Sequence, residues 1–182
     1  MYSKKLGLPL IAASAALLLS TSQALAELKL EVEMFEASVD GKGDSLGTVT
    51  LIAYDEGVLV ESDLRKLAPG THGFHLHENP DCSPIKKDGK TTPAGSAGGH
   101  YDPQKAKEHK GPFDVSGHLG DLPRLHVGPD GENAQTNIAP RLKLADFKGR
   151  ALVIHGGGDN YSDSPQPLGG GGARIACGVV AD

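Results

Sequence analysis

The chain has 182 residues, 25 of them glycine and 12 proline, with 4% aromatic residues and no tryptophan. That fits one modest globular domain rich in turns. A formal net charge of -5 disfavours nucleic acid or an anionic membrane surface as a partner.

In chain order, Lys4 and Lys5 precede an apolar run at 6–19, and small residues then lead to Ala24-Leu25-Ala26. This is the pattern of a secretory signal peptide. The run is shorter than the roughly 18 to 20 apolar residues of a spanning helix. The expectation is a soluble exported protein, with a signal peptide at 1–26 and one domain at 27–182. No cysteine sits near the expected cleavage point to accept a lipid anchor. Loss of Lys4 and Lys5 leaves 16 basic against 23 acidic residues, or net -7. An anionic substrate would then need a local positive site. Two cysteines remain, Cys82 and Cys177, and an exported chain with an even count most simply pairs them. The loop they close, about 95 residues, is worth roughly 4 to 5 kcal/mol on the chain-entropy account.

The alternation of Leu28, Leu30, Val32 and Met34 with Lys29, Glu31 and Glu33 predicts a strand at 28–35. Further strands are expected at 47–54, 57–63, 73–77, 122–127, 134–138, 151–155 and 174–180, separated by turn signals such as Asp40-Gly41, Glu56-Gly57 and Asp130-Gly131. Seven or eight short strands with few helical periods predict an all-β, antiparallel Greek-key sandwich or flattened eight-stranded barrel. Two segments, 78–121 and 156–173, do not read as regular structure. Loops of that length are uncommon unless they are functional or stapled.

Seven of the eight histidines fall between His72 and His126. His75 and His77 are at i and i+2 on an expected strand, so both leave the same face about 7 Å apart, which suits two ligands of one metal. His72 shares the opposite face with Phe74 and Leu76 and reads as a hydrogen-bonded structural histidine. His100, His109, His118 and Asp121 form a second set, able to complete a closed tetrahedral shell for zinc. His118 and Asp121 taken alone could equally be surface polar residues. His155 ends an apolar strand where a glycine-rich loop begins, and His126, with no companion, reads as a surface residue.

The runs Gly73-Phe74-His75-Leu76-His77-Glu78, Gly98-Gly99-His100-Tyr101-Asp102-Pro103 and Gly117-His118-Leu119-Gly120-Asp121-Leu122-Pro123, with the segment 170–179, closely resemble Cu,Zn superoxide dismutases of the bacterial periplasmic type. The resemblance implies one copper ion per chain on His75, His77, His100 and His155. It implies one zinc ion on His100, His109, His118 and Asp121, with His100 bridging the two. Asp159 matches an aspartate that hydrogen-bonds one copper histidine and one zinc histidine. Arg174 matches the arginine at the rim of the copper channel, and Cys82 and Cys177 match the family disulfide. The implied activity is superoxide dismutation in the periplasm, with His100 and Arg174 as catalytic residues. Lys86, Lys87 and Lys90 could extend a positive field from the loop beyond Cys82. Monomer and homodimer both remain open.

Two other classes are weighed. A zinc hydrolase is disfavoured, since no His-Glu-x-x-His pattern is present. A non-catalytic periplasmic copper- or zinc-binding protein would keep some of the ligands but has no need for Arg174.

Overall fold

The computed structural model describes residues 28–182, so the expected signal peptide lies outside the described residues. Eleven strands run in chain order: β1 (Lys29–Ser38), β2 (Gly41–Tyr54), β3 (Gly57–Leu64), β4 (Gly70–His72), β5 (Phe74–His77), β6 (Ile85–Lys87), β7 (Lys90–Thr92), β8 (Leu125–Val127), β9 (Asn133–Ala139), β10 (Arg150–His155) and β11 (Arg174–Val180). One short helix, α1 (Leu144–Phe147), connects β9 to β10.

Seven strands form a curled antiparallel sheet in the order β5-β10-β11-β1-β2-β3-β9. β9 lies at one edge and β10 near the other, so their connection crosses the molecule instead of closing a hairpin. The β4–β8 ribbon occupies the seam between the edges. β4 runs into β5 through Gly73 alone. β8 is tied to β9 by side chains: Asn133 Nδ2 donates to the His126 carbonyl at 2.8 Å, and the His126 N–H donates to Gln135 Oε1 at 2.9 Å.

Alternation fills the interior. Val32 and Met34 of β1, Val49 and Leu51 of β2, Val58 and Val60 of β3, and Leu152 and Ile154 of β10 enter one core with Leu125 and Val127 of β8. Each such side chain contributes on the order of 1.5 to 3 kcal/mol through burial. A smaller cluster of Ala94, Ala97, Ala151, Val153 and Cys177 lies on the outer face of β10 and β11. There the Cys82–Cys177 disulfide forms, with Cα atoms 5.8 Å apart and a sequence separation of 95. It clips the start of the long loop onto the sheet.

Several expected boundaries shift. The segment 78–121 is not wholly irregular, because β6 and β7 form a small hairpin in it. Lys86, Lys87 and Lys90 are exposed on that hairpin. β2 begins at Gly41, not 47, because its polar start pairs with the end of β1 across a bulge. The strand expected at 73–77 is preceded by a separate β4. The one expected at 122–127 narrows to 125–127, since the Leu122 N–H instead donates to the Phe74 carbonyl at 3.3 Å.

Candidate metal centre

The centre is built on the outer face of β5 and β10. Phe74 and Leu76 point into the core, so alternation sends His75 and His77 outward. Val153 pairs with His75 and Ala151 with His77, and His155 ends β10 opposite Arg174. The free edge of β5 is covered by the long loop. The Leu76 N–H donates to Gly120 O at 2.9 Å, and the Tyr101 N–H donates to Leu76 O at 2.8 Å. That pairing sets His100 beside His77 and Asp121 beside His75.

His75, His77, His100 and His155 are all buried, and each offers a ring nitrogen within 4.8 Å of the others. His75 Nδ1 and the Nε2 atoms of His77, His100 and His155 have no hydrogen-bond partner. An unsatisfied buried polar group costs about 1 to 3 kcal/mol, yet four converge here. The second nitrogen of each ring is held elsewhere. His75 Nε2 faces Asp159 Oδ2 at 2.9 Å, His77 Nδ1 faces Gly98 O at 3.0 Å, His100 Nδ1 faces Asp121 Oδ1 at 2.9 Å, and His155 Nδ1 faces Gly172 O at 3.4 Å. A neutral ring donating through one nitrogen presents a lone pair at the other. Four such lone pairs suit copper, which takes imidazole in tetragonal geometry.

The second set converges on one oxygen. Asp121 Oδ1 lies 2.9 Å from His100 Nδ1, 3.0 Å from His109 Nδ1 and 3.3 Å from His118 Nδ1. Tetrahedral zinc with bonds of about 2.0 to 2.1 Å separates its donors by about 3.3 Å, so this cluster fits zinc. His75 also approaches His100, His109 and Asp121 within 4.8 Å. Its Nε2, however, is engaged by Asp159 and its Nδ1 belongs with the four unpartnered nitrogens, which leaves His118 the better fourth donor.

Asp159 joins the two sets, since its other oxygen, Oδ1, lies 2.7 Å from His109 Nε2. A Cβ on Gly169 would collide with this carboxylate and with the His109 ring, and Gly169 has φ +70, a conformation that favours glycine. The loop can therefore lie directly over Asp159. Arg124 and Tyr161, which sequence patterns did not single out, brace the same loop. Arg124 Nη1 donates to Asp159 O at 2.8 Å, and its backbone N–H donates to Tyr161 Oη at 3.1 Å. No local periodicity signals a pairing across 35 residues.

Burial drives His75 and His77 well below the ordinary histidine pKa, with the nearby His100 acting in the same direction. His155 falls to about 4 for the same reasons. His109 goes the other way: burial opposes its charge, but the Asp121 and Asp159 carboxylates beside its two ring nitrogens raise it to about 9. Burial works against ionisation of Asp121 and Asp159, yet hydrogen bonds from the surrounding histidines hold both below the usual carboxylate range.

Arg174 is half-buried beside the four imidazoles. It donates to Ala94 O at 2.6 Å, Gly95 O at 3.4 Å and Gly98 O at 2.6 Å, and its charge acts on both His77 and His155. His72 lies outside both sets. Its ring nitrogens lie 2.7 Å from His155 O and 2.8 Å from Ala68 O, which makes it a structural link between β4 and the end of β10. His126 is exposed on β8.

A four-imidazole cluster sharing one histidine with a three-histidine, one-aspartate cluster, on a curled antiparallel sheet, defines a two-metal site. The family model for copper/zinc superoxide dismutase matches residues 45–180. The Cu-Zn superoxide dismutase of Brucella abortus is 54% identical over 150 residues, covering 82% of this chain and 86% of that protein. A solved Cu/Zn superoxide dismutase from Brucella abortus superposes with a TM-score of 0.81 at 53% identity, covering 84% of this chain and 99% of the other. The monomeric copper, zinc superoxide dismutase from Salmonella enterica gives 0.76 at 49%, with the same coverage. The chain belongs to the copper/zinc superoxide dismutase family.

Proposed function

We propose that the chain dismutes superoxide, two anions and two protons giving one dioxygen and one hydrogen peroxide. The carrying observation is the convergence of four buried, unpartnered imidazole nitrogens on one point. His75, His77, His100 and His155 would hold copper, and His100, His109, His118 and Asp121 would hold zinc. Bound copper supplies the one-electron change of oxidation state, and zinc, which has none, fixes structure. His100 is the residue shared by both sets: it takes up a proton at Nε2 in one half of the cycle and yields it in the other. Arg174, cationic at neutral pH, draws the anion toward the imidazoles and orients it. Asp159 accepts from His75 Nε2 and His109 Nε2, fixing which nitrogen of each ring faces a metal.

Residues 1–26 direct the chain to the periplasm and are removed, and 27–182 form a single catalytic domain that works as a monomer or a homodimer. The Salmonella enterica relative is described as monomeric, which supports the monomer. The test is metal analysis of the purified mature protein, followed by superoxide decay kinetics. Stoichiometric copper and zinc with rapid dismutation are expected. Full copper occupancy without dismutation would leave a non-catalytic copper- and zinc-binding protein as the function.

A further inference from the structure

The loop bearing His109, His118 and Asp121 has little regular structure of its own, yet three of its donors meet within hydrogen-bond distance. Its order has a source outside the metal ligands. Arg141, on the segment between β9 and α1, sends its guanidinium into the middle of the loop. Nε donates to Pro112 O at 2.8 Å, Nη1 to Gly117 O at 3.2 Å, and Nη2 to Gly111 O at 3.0 Å and to His118 O at 2.6 Å. All four acceptors are main-chain carbonyls between His109 and Asp121, one of them on the ligand His118 itself. They lie 23 to 30 residues from Arg141, so the contact is purely tertiary.

We infer that Arg141 is the positioning residue of the zinc site: its planar fork gathers the loop carbonyls and sets the His118 backbone, so that His118 Nδ1 faces Asp121 Oδ1. The inference rests on the zinc reading of His100, His109, His118 and Asp121. A carbonyl-saturated guanidinium suits this task. It needs no carboxylate partner, and its rigid fork holds several acceptors at fixed angles, which an ammonium on a flexible stem cannot do. Arg141 makes no hydrogen bond or ion pair to a ligand side chain, and its direct link to the site is the hydrogen bond to His118 O. The copper histidines of β5 and β10 do not depend on it.

The experiment uses the zinc- and copper-loaded mature protein. Zinc transfer to a strong chelator is timed for the parent, Arg141→Gln and Arg141→Lys. The thermal midpoint of each protein prepared without metal and the visible spectrum of each copper site are measured alongside. Loss of an outer support typically costs 10- to 100-fold in metal affinity, so Arg141→Gln is expected to release zinc at least about tenfold faster than the parent. Arg141→Lys, keeping charge but not the fork, should fall between. The copper spectrum should keep the parent's position in both. If Arg141→Gln does not fold, Arg141→Lys alone carries the comparison. A variant that melts earlier but releases zinc at the parent's rate would make Arg141 a general stabiliser and overturn the inference. A parent that binds no zinc would overturn the metal reading and this inference together.

Discussion

The two halves of the metal centre are built by different means. On one side, His75, His77 and His155 stand on β5 and β10, where strand alternation and the burial of Phe74, Leu76, Leu152 and Ile154 beneath them fix their direction. On the other, His109, His118 and Asp121 hang from a loop ordered by distant groups. Those groups are the Arg141 guanidinium, the Asp159 carboxylate and Asp163, which accepts from the His109 N–H at 2.8 Å. Ligands on a core strand inherit the strand's rigidity, whereas ligands on a loop need braces that contribute nothing but position. His100 and Asp159 are where the two constructions meet.

The largest expected effect breaks the first half alone. His75→Ala removes one of the four unpartnered nitrogens and no proposed zinc donor, so copper and activity should be lost while zinc stays near one per chain. Metal analysis with an activity assay decides it. Zinc loss with copper and activity retained would mean that the two sites are reversed.

Acidity should separate the halves in protein prepared without metal. The folded-state pKa of His155 is depressed to about 4, so below the ordinary value near 6.5 the unfolded chain binds a proton that the folded chain refuses. Stability should therefore fall as pH drops from about 6.5 to about 4, by up to about 3 kcal/mol for this residue, with His75, His77 and His100 acting in the same direction. His109 behaves oppositely. Raised to about 9, it contributes stability that is complete below about 6.5 and disappears as pH rises through 9. Denaturant midpoints from pH 4 to 10 test both limbs, and a His109→Gln variant should lose the alkaline limb only. A flat profile would contradict both assignments.

Asp159→Asn attacks the junction. With His75 Nδ1 and His109 Nδ1 turned to the metals, both Nε2 atoms carry hydrogen and both need an acceptor. Asparagine offers one oxygen, and its amide must face the other N–H. Losses of roughly 10- to 100-fold in metal affinity or turnover are expected, on both metals at once. Competition against a graded chelator series measures them, and unchanged affinity with unchanged turnover would reduce Asp159 to an ordinary loop carboxylate.

The same contrast governs what the sequence made legible. The strand side could be read because a period of two and a hydrophobic partner at each alternate position are local signals. His75, His77 and the structural role of His72 follow from that alternation alone. On the loop side, residue type alone grouped His100, His109, His118 and Asp121 as a set able to hold zinc, but assigning them to one site rested on resemblance to a family, since nothing local says that residues 12 apart meet at one carboxylate oxygen. Arg124, Tyr161 and Arg141 escaped altogether. An arginine whose partners are main-chain carbonyls leaves no complementary acid in the sequence to mark it. The β6–β7 hairpin was missed for a related reason: its polar, exposed strands bury no face and carry no alternation.

The smallest expected effect concerns Arg174, which belongs to the strand side by position and to the loop side by its contacts. It starts β11 opposite His155, and its guanidinium donates to carbonyls at 94, 95 and 98, in the loop that begins at the disulfide. Its charge therefore stands beside the four imidazoles in a chain whose overall balance repels anions. Guidance of an anion over distance weakens with salt, because the screening length is about 10 Å at 0.1 M. Arg174→Glu should lower the second-order rate of superoxide decay about tenfold or more and flatten or invert its decline with ionic strength. Arg174→Lys, with charge but no planar fork, should fall between. Neutralising Lys86, Lys87 and Lys90 together should leave the rate at high salt unchanged and reduce only the salt slope, since those side chains are exposed on the β6–β7 hairpin. Copper occupancy is checked in every variant, because glutamate at 174 would face carbonyls and could loosen the loop. A fully metallated Arg174→Glu protein with the parent's rate and salt slope would remove Arg174 as the anion guide and leave it as a strut between β11 and the disulfide loop.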